Sequence, residues 1–186
     1  SAITALVLAA CLLPSSSFAQ SAATPSDYAG RFYLAYIRTG DPSVDARTQA
    51  GLSALLDVLR MRTSVDGGGV VAVDPGRDDL AFFPLIYWPL DDSPKEMTSG
   101  QTAAMQAYLD HGGTILFDTR SRQIGAGGQS DGALRAVTRG LNIPPLTPIS
   151  KDHVLTRSYY LLDSFPGLYD AGTLWVEENS APGRDG

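Results

Sequence analysis

Cysteine is nearly missing. The 186 residues hold one, Cys11, inside an apolar N-terminal run. No intrachain disulfide or thiolate metal site can form, and the rest of the chain has no cysteine nucleophile. Histidine is almost as scarce. His111 and His153 are too few for a His-rich metal centre, and no spacing with carboxylates suggests a mixed one. Basic clusters are also lacking. Fourteen Lys and Arg stand against twenty Asp and Glu, for a net charge of −6. The basic residues are mostly isolated arginines such as Arg31, Arg38, Arg47 and Arg77, so no nucleic-acid groove has an electrostatic footprint. The phosphate-binding patterns G-x-G-x-x-G and GK[ST] do not occur, nor does the hydrolase elbow G-x-S-x-G. Neither a cofactor nor a resident metal is expected.

What is present suits a single globular domain: 44% hydrophobic and 18% charged residues, with no internal repeat. The N-terminus differs from the rest. Ala2 to Leu13 is apolar apart from Thr4. This run of about a dozen residues falls short of the roughly 20 that span a bilayer, but the chain opens at Ser1 rather than Met, which leaves its full length open. Ser17 and Ala19 fit the small-x-small rule of a signal-peptidase site. Residues 1–19 therefore read as a cleaved signal peptide or as the end of a transmembrane helix. Leu8-Ala9-Ala10-Cys11 makes a lipoprotein signal a weaker third reading, since Leu12 and Leu13 continue the apolar run. Residues 20–31 read as a linker and 32–186 as the folded domain.

Along that domain, Phe32–Arg38 predicts a buried strand. Asp41-Pro42 supplies an N-cap and a first-turn proline for a helix over Ser43–Arg62, where Leu52, Leu55, Leu56 and Leu59 recur at helical spacing. Gly67-Gly68-Gly69 predicts a break before a short strand, Val70–Asp74. Leu80–Trp88 reads as a strand buried on both faces, with Pro84 arguing for an interruption. Ser99–His111 predicts a helix stopped by Gly112-Gly113, and Thr114–Phe117 a strand. A polar glycine-rich loop, Ser121–Ser130, precedes a helix that Asp131 would cap and that would extend through Leu141. Ile143–Ile149 is extended, and Leu174–Glu177 is a late strand. This order predicts an α/β fold with a doubly wound, mostly parallel sheet.

Ligands in such sheets bind beyond the carboxyl ends of the strands. That rule selects Arg38–Asp41, Asp74–Asp79, Trp88–Asp92 and Asp118–Arg122. Arg38 and Asp41 are candidate ligand-binding residues, although Asp41 also suits a helix cap. Asp118 and Arg120 set a carboxylate beside a guanidinium where a strand opens into a loop. With His153, which lies in a polar irregular segment, they are the candidate catalytic residues. Tyr87 and Trp88, aromatics near a strand end, are candidates for carbohydrate or small-ligand binding, against the plainer reading of core. Asp74, Asp78 and Asp79 form an acidic turn without EF-hand spacing. His111 stands where a histidine favours a helix C-terminus.

Several separated strings resemble the DUF4159 family, a bacterial domain of unknown function. They are Tyr36-Ile37-Arg38-Thr39-Gly40-Asp41, the run Asp79 to Pro89, Gly112 to Arg120, Asp152-His153-Val154-Leu155-Thr156, and Phe165-Pro166-Gly167. The resemblance implies a flavodoxin-like fold similar to class I glutamine amidotransferase domains. Those enzymes carry a cysteine on the turn after a central strand, where this chain has Asp118-Thr119-Arg120, so their chemistry is not expected here. It also implies an origin as the C-terminal part of BatA-like membrane proteins, with a MoxR-type ATPase system and other envelope proteins as partners. A closing strand and helix would then follow Gly186. The expected function is a non-catalytic, membrane-tethered or exported interaction domain of the cell membrane or periplasm. The alternative is a hydrolase or small-ligand-binding domain using Asp118, Arg120 and His153.

Overall fold

The computed structural model describes residues 28–91, 94–119, 129–158, 165 and 173–178. The expectations for residues 1–27 and for the loop 121–128 lie outside these. Among the described residues, no helix is long and apolar enough to cross a membrane.

Strand β1, Phe32–Ile37, is buried at its last four positions. The chain then turns into helix α1, Pro42–Arg62. The Asp41 carboxylate caps this helix, accepting from the N–H of Ser43 (2.8 Å) and of Val44 (3.4 Å). These bonds satisfy donors that an uncapped helix leaves open. Leu52 and Leu56 turn inward as their spacing predicts, Leu59 is half-buried, and Leu55 is exposed.

Strand β2 runs Gly67–Val73 and corrects the reading of the triple glycine as a break. The glycines belong to the strand because neighbouring side chains occupy their faces. Phe32 pairs with Gly67 and Tyr33 with Gly69, which leaves Gly68 as the extra residue of a β-bulge. A Cβ on Gly68 would lie 2.2–2.7 Å from atoms of the Tyr33 ring.

The run Leu80–Trp88 is also not one strand. Leu80–Phe82 forms a 3₁₀ turn, and strand β3 is Leu85–Pro89. The interruption falls at Phe83-Pro84, as the missing proline N–H requires. Helix α2, Ser99–Asp110, opens with a capping box in which Thr98 and Gln101 satisfy each other's backbone. It stops at Gly112, whose φ is +86°, and His111 Nδ1 lies 2.6 Å from the Ala107 carbonyl. Strand β4 is Thr114–Asp118. Helix α3 spans Gln129–Thr138, so it begins two residues before the expected cap at Asp131 and ends short of Leu141.

β1 to β4 form one all-parallel sheet in the order β2-β1-β3-β4. This order is compatible with a flavodoxin-like fold. After β2 the chain crosses β1 and adds β3 on its far side without an intervening α-helix. Strands β5, Leu146–Pro148, and β6, Trp175–Glu177, form a separate antiparallel pair. Between them lies a one-turn helix, α4, Val154–Arg157.

Helices cover both faces of the sheet. On one face Ala35, Ile37, Val73, Ile86 and Trp88 meet Met105 and Tyr108 of α2 and Ala133 and Val137 of α3. On the other, Leu34 and Tyr36 meet Leu52 and Leu56 of α1. Tyr108 ties the first layer together. Its hydroxyl lies 2.9 Å from the Phe83 carbonyl and 3.0 Å from that of Thr114, and it accepts from the Thr114 N–H at 3.1 Å. Burial pushes the Tyr108 phenol above its ordinary pKa.

Candidate functional site

The carboxyl ends of β3 and β4 lie side by side, with Pro89 opposite Asp118 and Tyr87 opposite Leu116. Side chains two residues apart on a strand share a face. Tyr87, Pro89, Leu116 and Asp118 therefore point to the same side, the one on which α1 packs. There the Tyr87 hydroxyl donates to the Asp118 carboxylate.

Across from this pair stands the first half of α1. Val44, Thr48, Gly51 and Leu52 recur at near-helical intervals along one flank, with Arg47 beside them. Together with Tyr87, Pro89 and Asp118 they line a cleft of about 150 Å³. The lining is mixed. Val44, Leu52 and Pro89 are apolar, Thr48 and Tyr87 carry hydroxyls, and Arg47 and Asp118 carry opposite charges. Arg47 is exposed and makes no ion pair among the described residues. It does not pair with Asp118, whose carboxylate accepts from the Tyr87 hydroxyl.

The sequence candidates separate cleanly. Tyr87 and Asp118 come together and line the cleft. Trp88, the next residue, points to the opposite face, where it is 7% exposed and its ring meets that of Phe117 at 5.5 Å. Asp41 is the α1 cap, and Arg38 is an exposed residue after β1. The loop holding them is closed by Asp45, which accepts from both the N–H and the hydroxyl of Thr39 (2.9 Å each). His153 does not line the cleft. It is 3% exposed and caps α4, with Nδ1 accepting from the Leu155 N–H at 3.2 Å. Arg120 lies outside the described residues.

The acidic turn is engaged by the chain itself. Asp74 Oδ1 accepts from the Gly76 N–H (2.9 Å) and from Gln101 Nε2 (3.1 Å), and Asp78 accepts from the Asp74 N–H (2.7 Å). The Gly76 and Gln101 bonds favour the ionised form and hold the Asp74 carboxyl below its ordinary pKa. Among the described residues, no group of three His, Cys, Asp or Glu is placed to hold a metal ion.

Val44, Arg47, Thr48 and Gly51 were not singled out from sequence. On an amphipathic helix Arg47, Thr48 and Gly51 resemble solvated positions, and Val44 resembles a core position. One signal was present: a glycine at position 51, inside a helix otherwise well supplied with helix formers.

The structure thus defines an α/β domain with a parallel sheet, helices on both faces and a small polar cleft where two strands end beside a helix. The chain belongs to the DUF4159 family, a domain of unknown function, whose family model matches residues 33–185. No curated protein matches its sequence.

Proposed function

We propose that this is a non-catalytic recognition domain of the bacterial envelope, built on the flavodoxin-like plan of class I glutamine amidotransferase domains and reading its ligand at the cleft beside Asp118. The observation that carries this is the residue at the end of β4. In the amidotransferase plan the turn after a central strand presents a thiol. Here β4, at the edge of the four-stranded sheet, ends in a carboxylate bonded to a tyrosine hydroxyl, and the chain's one cysteine is at position 11. The cleft instead offers a cation, an acceptor pair and an apolar wall, which suit binding more than bond cleavage. The apolar run Ala2–Leu13 supports placement at the membrane or in the periplasm. The family resemblance supports envelope proteins, including a MoxR-type ATPase system, as partners.

The test has two arms. Purified protein incubated with glutamine should release no more ammonia than an Asp118→Asn variant does, and a rate that depends on Asp118 overturns the non-catalytic reading. Fractionation of the intact gene product in its native cell should recover it with membranes or periplasm, and recovery wholly in the cytoplasm overturns the envelope placement.

A further inference from the structure

We infer that the outer edge of β2 is an interaction surface for a second copy of this chain. Two copies join edge to edge about a two-fold axis, so that their sheets run on as one and their α1 helices lie side by side.

The strand argues for it first. β2 closes one side of the sheet, and among the described residues no strand pairs with its outer side. Such an edge presents a row of open backbone N–H and C=O groups, and edges that stay single are blunted by charge, proline or bulging. β2 holds no charged residue and no proline, and its bulge at Gly68 is confined to the amino end. Val70, Val71 and Ala72 pack into the two cores yet are only half-buried. A second β2 running antiparallel, centred near Val71, would pair the open backbone groups and cover these side chains.

α1 fits the same arrangement. It packs on Leu34 and Tyr36 of β1 and on Val70 and Ala72 of β2. With strands about 4.8 Å apart, a β2–β2 junction sets the two α1 axes about 10 Å apart, the distance at which helices pack. Leu56 packs on Gly67 and Arg60 bonds to its carbonyl at 2.6 Å, so helix and strand are level there. From Gly67 to Val71 is about 13 Å along the strand, or about nine residues back along α1, which reaches Gln49 and Ala50. On the flank that Arg60 shares, this level carries Ala46, Gln49, Ala50 and Ser53, all exposed. Short side chains there let two such flanks meet. Charge sets the direction. At the Gly67 end Arg31, Arg60 and Arg62 outnumber Asp57 and Asp66. At the Val73 end Asp74, Asp78 and Asp79 outnumber Arg77. Antiparallel pairing brings the basic end of one copy to the acidic end of the other. Several of these groups already have partners within the chain, so the excess fixes orientation more than it adds affinity.

Sedimentation velocity of the full chain, from micromolar to millimolar concentration, should show a reversible monomer–dimer equilibrium with a micromolar dissociation constant, as a small interface allows. Ala50→Arg should weaken the dimer by about tenfold or more, because the two-fold axis sets each new cation beside its copy. Val71→Lys should do the same by charging the edge. Ala50 is exposed, so Ala50→Arg should leave the fold intact by circular dichroism, and it carries the test if Val71→Lys fails to fold. Val58→Arg, on the outward face of the same helix, should leave the dimer unchanged. A chain that stays monomeric at millimolar concentration overturns the inference, and hydrogen-exchange protection of its outward β2 amides would then assign the edge to another segment of the same chain. A dimer that survives Ala50→Arg, or that Val58→Arg weakens as much, overturns the interface.

Discussion

At Gly68 the chain leaves no room for a side chain beneath the Tyr33 ring. The tyrosine ring cannot swing aside freely, because it meets the Tyr28 ring edge-on at 5.1 Å, and Tyr28 in turn meets Phe83 at 5.1 Å. Gly68→Ala would drive a methyl group to within 2.2–2.7 Å of ring atoms, so something in this aromatic cluster must shift. Overpacking of this kind costs about 1–3 kcal/mol. Urea denaturation of Gly68→Ala should show that loss. The same change in a Tyr33→Ala background should be neutral or slightly stabilising, since the steric conflict is gone and alanine orders more cheaply than glycine. A Gly68→Ala protein as stable as the parent would refute the contact.

At the scale of the element, α1 does two separate jobs, and its two ends should respond separately to mutation. Asp41 holds the N-terminus by accepting from two backbone N–H groups. Asp41→Ala should therefore cost about 1 kcal/mol of stability and leave the ¹⁵N NMR shifts of the Thr48 and Gly51 amides unchanged. Movement of those shifts, in protein that remains folded, would return Asp41 to the site. This helix also shows what was legible in the sequence. Cap, proline and leucine spacing are local signals, and they located α1 to within one residue. β2 was misjudged because glycine reads as a breaker until the Tyr33 ring across the register is known, and that contact is non-local. The cleft was half legible for the same reason. Tyr87 and Asp118 stand at strand ends, where a general rule directs attention. Arg47, Thr48 and Gly51 join them only because α1 crosses the sheet at that point. His153 drew attention by its residue type, and its burial reflects the capping of a single helical turn.

For the whole molecule, the two faces of the sheet are unequal, and this inequality produces the cleft. One face carries the larger core, closed by α2 and α3 around Ile86, Met105 and Val137. Among the described residues, the other has α1 over β1 and β2, while β3 and β4 keep Leu116 40% exposed, and Leu55 on α1 is 43% exposed. A helix covering half a face leaves a step along its edge. The step sits at the carboxyl ends of β3 and β4, where Tyr87 and Asp118 project. Stability should follow the same division. Ile86 is fully buried, so Ile86→Ala removes packed atoms and leaves a cavity, at about 2–5 kcal/mol. Leu116→Ala, two strand positions from Asp118 on the half-covered face, should cost less than about 1 kcal/mol. Both follow from urea midpoints, with unchanged m-values confirming that the unfolding transition itself is the same. Equal losses at the two positions would mean that the β3–β4 half is as firmly covered as the main core. The cleft would then be a closed seam with no room for a ligand.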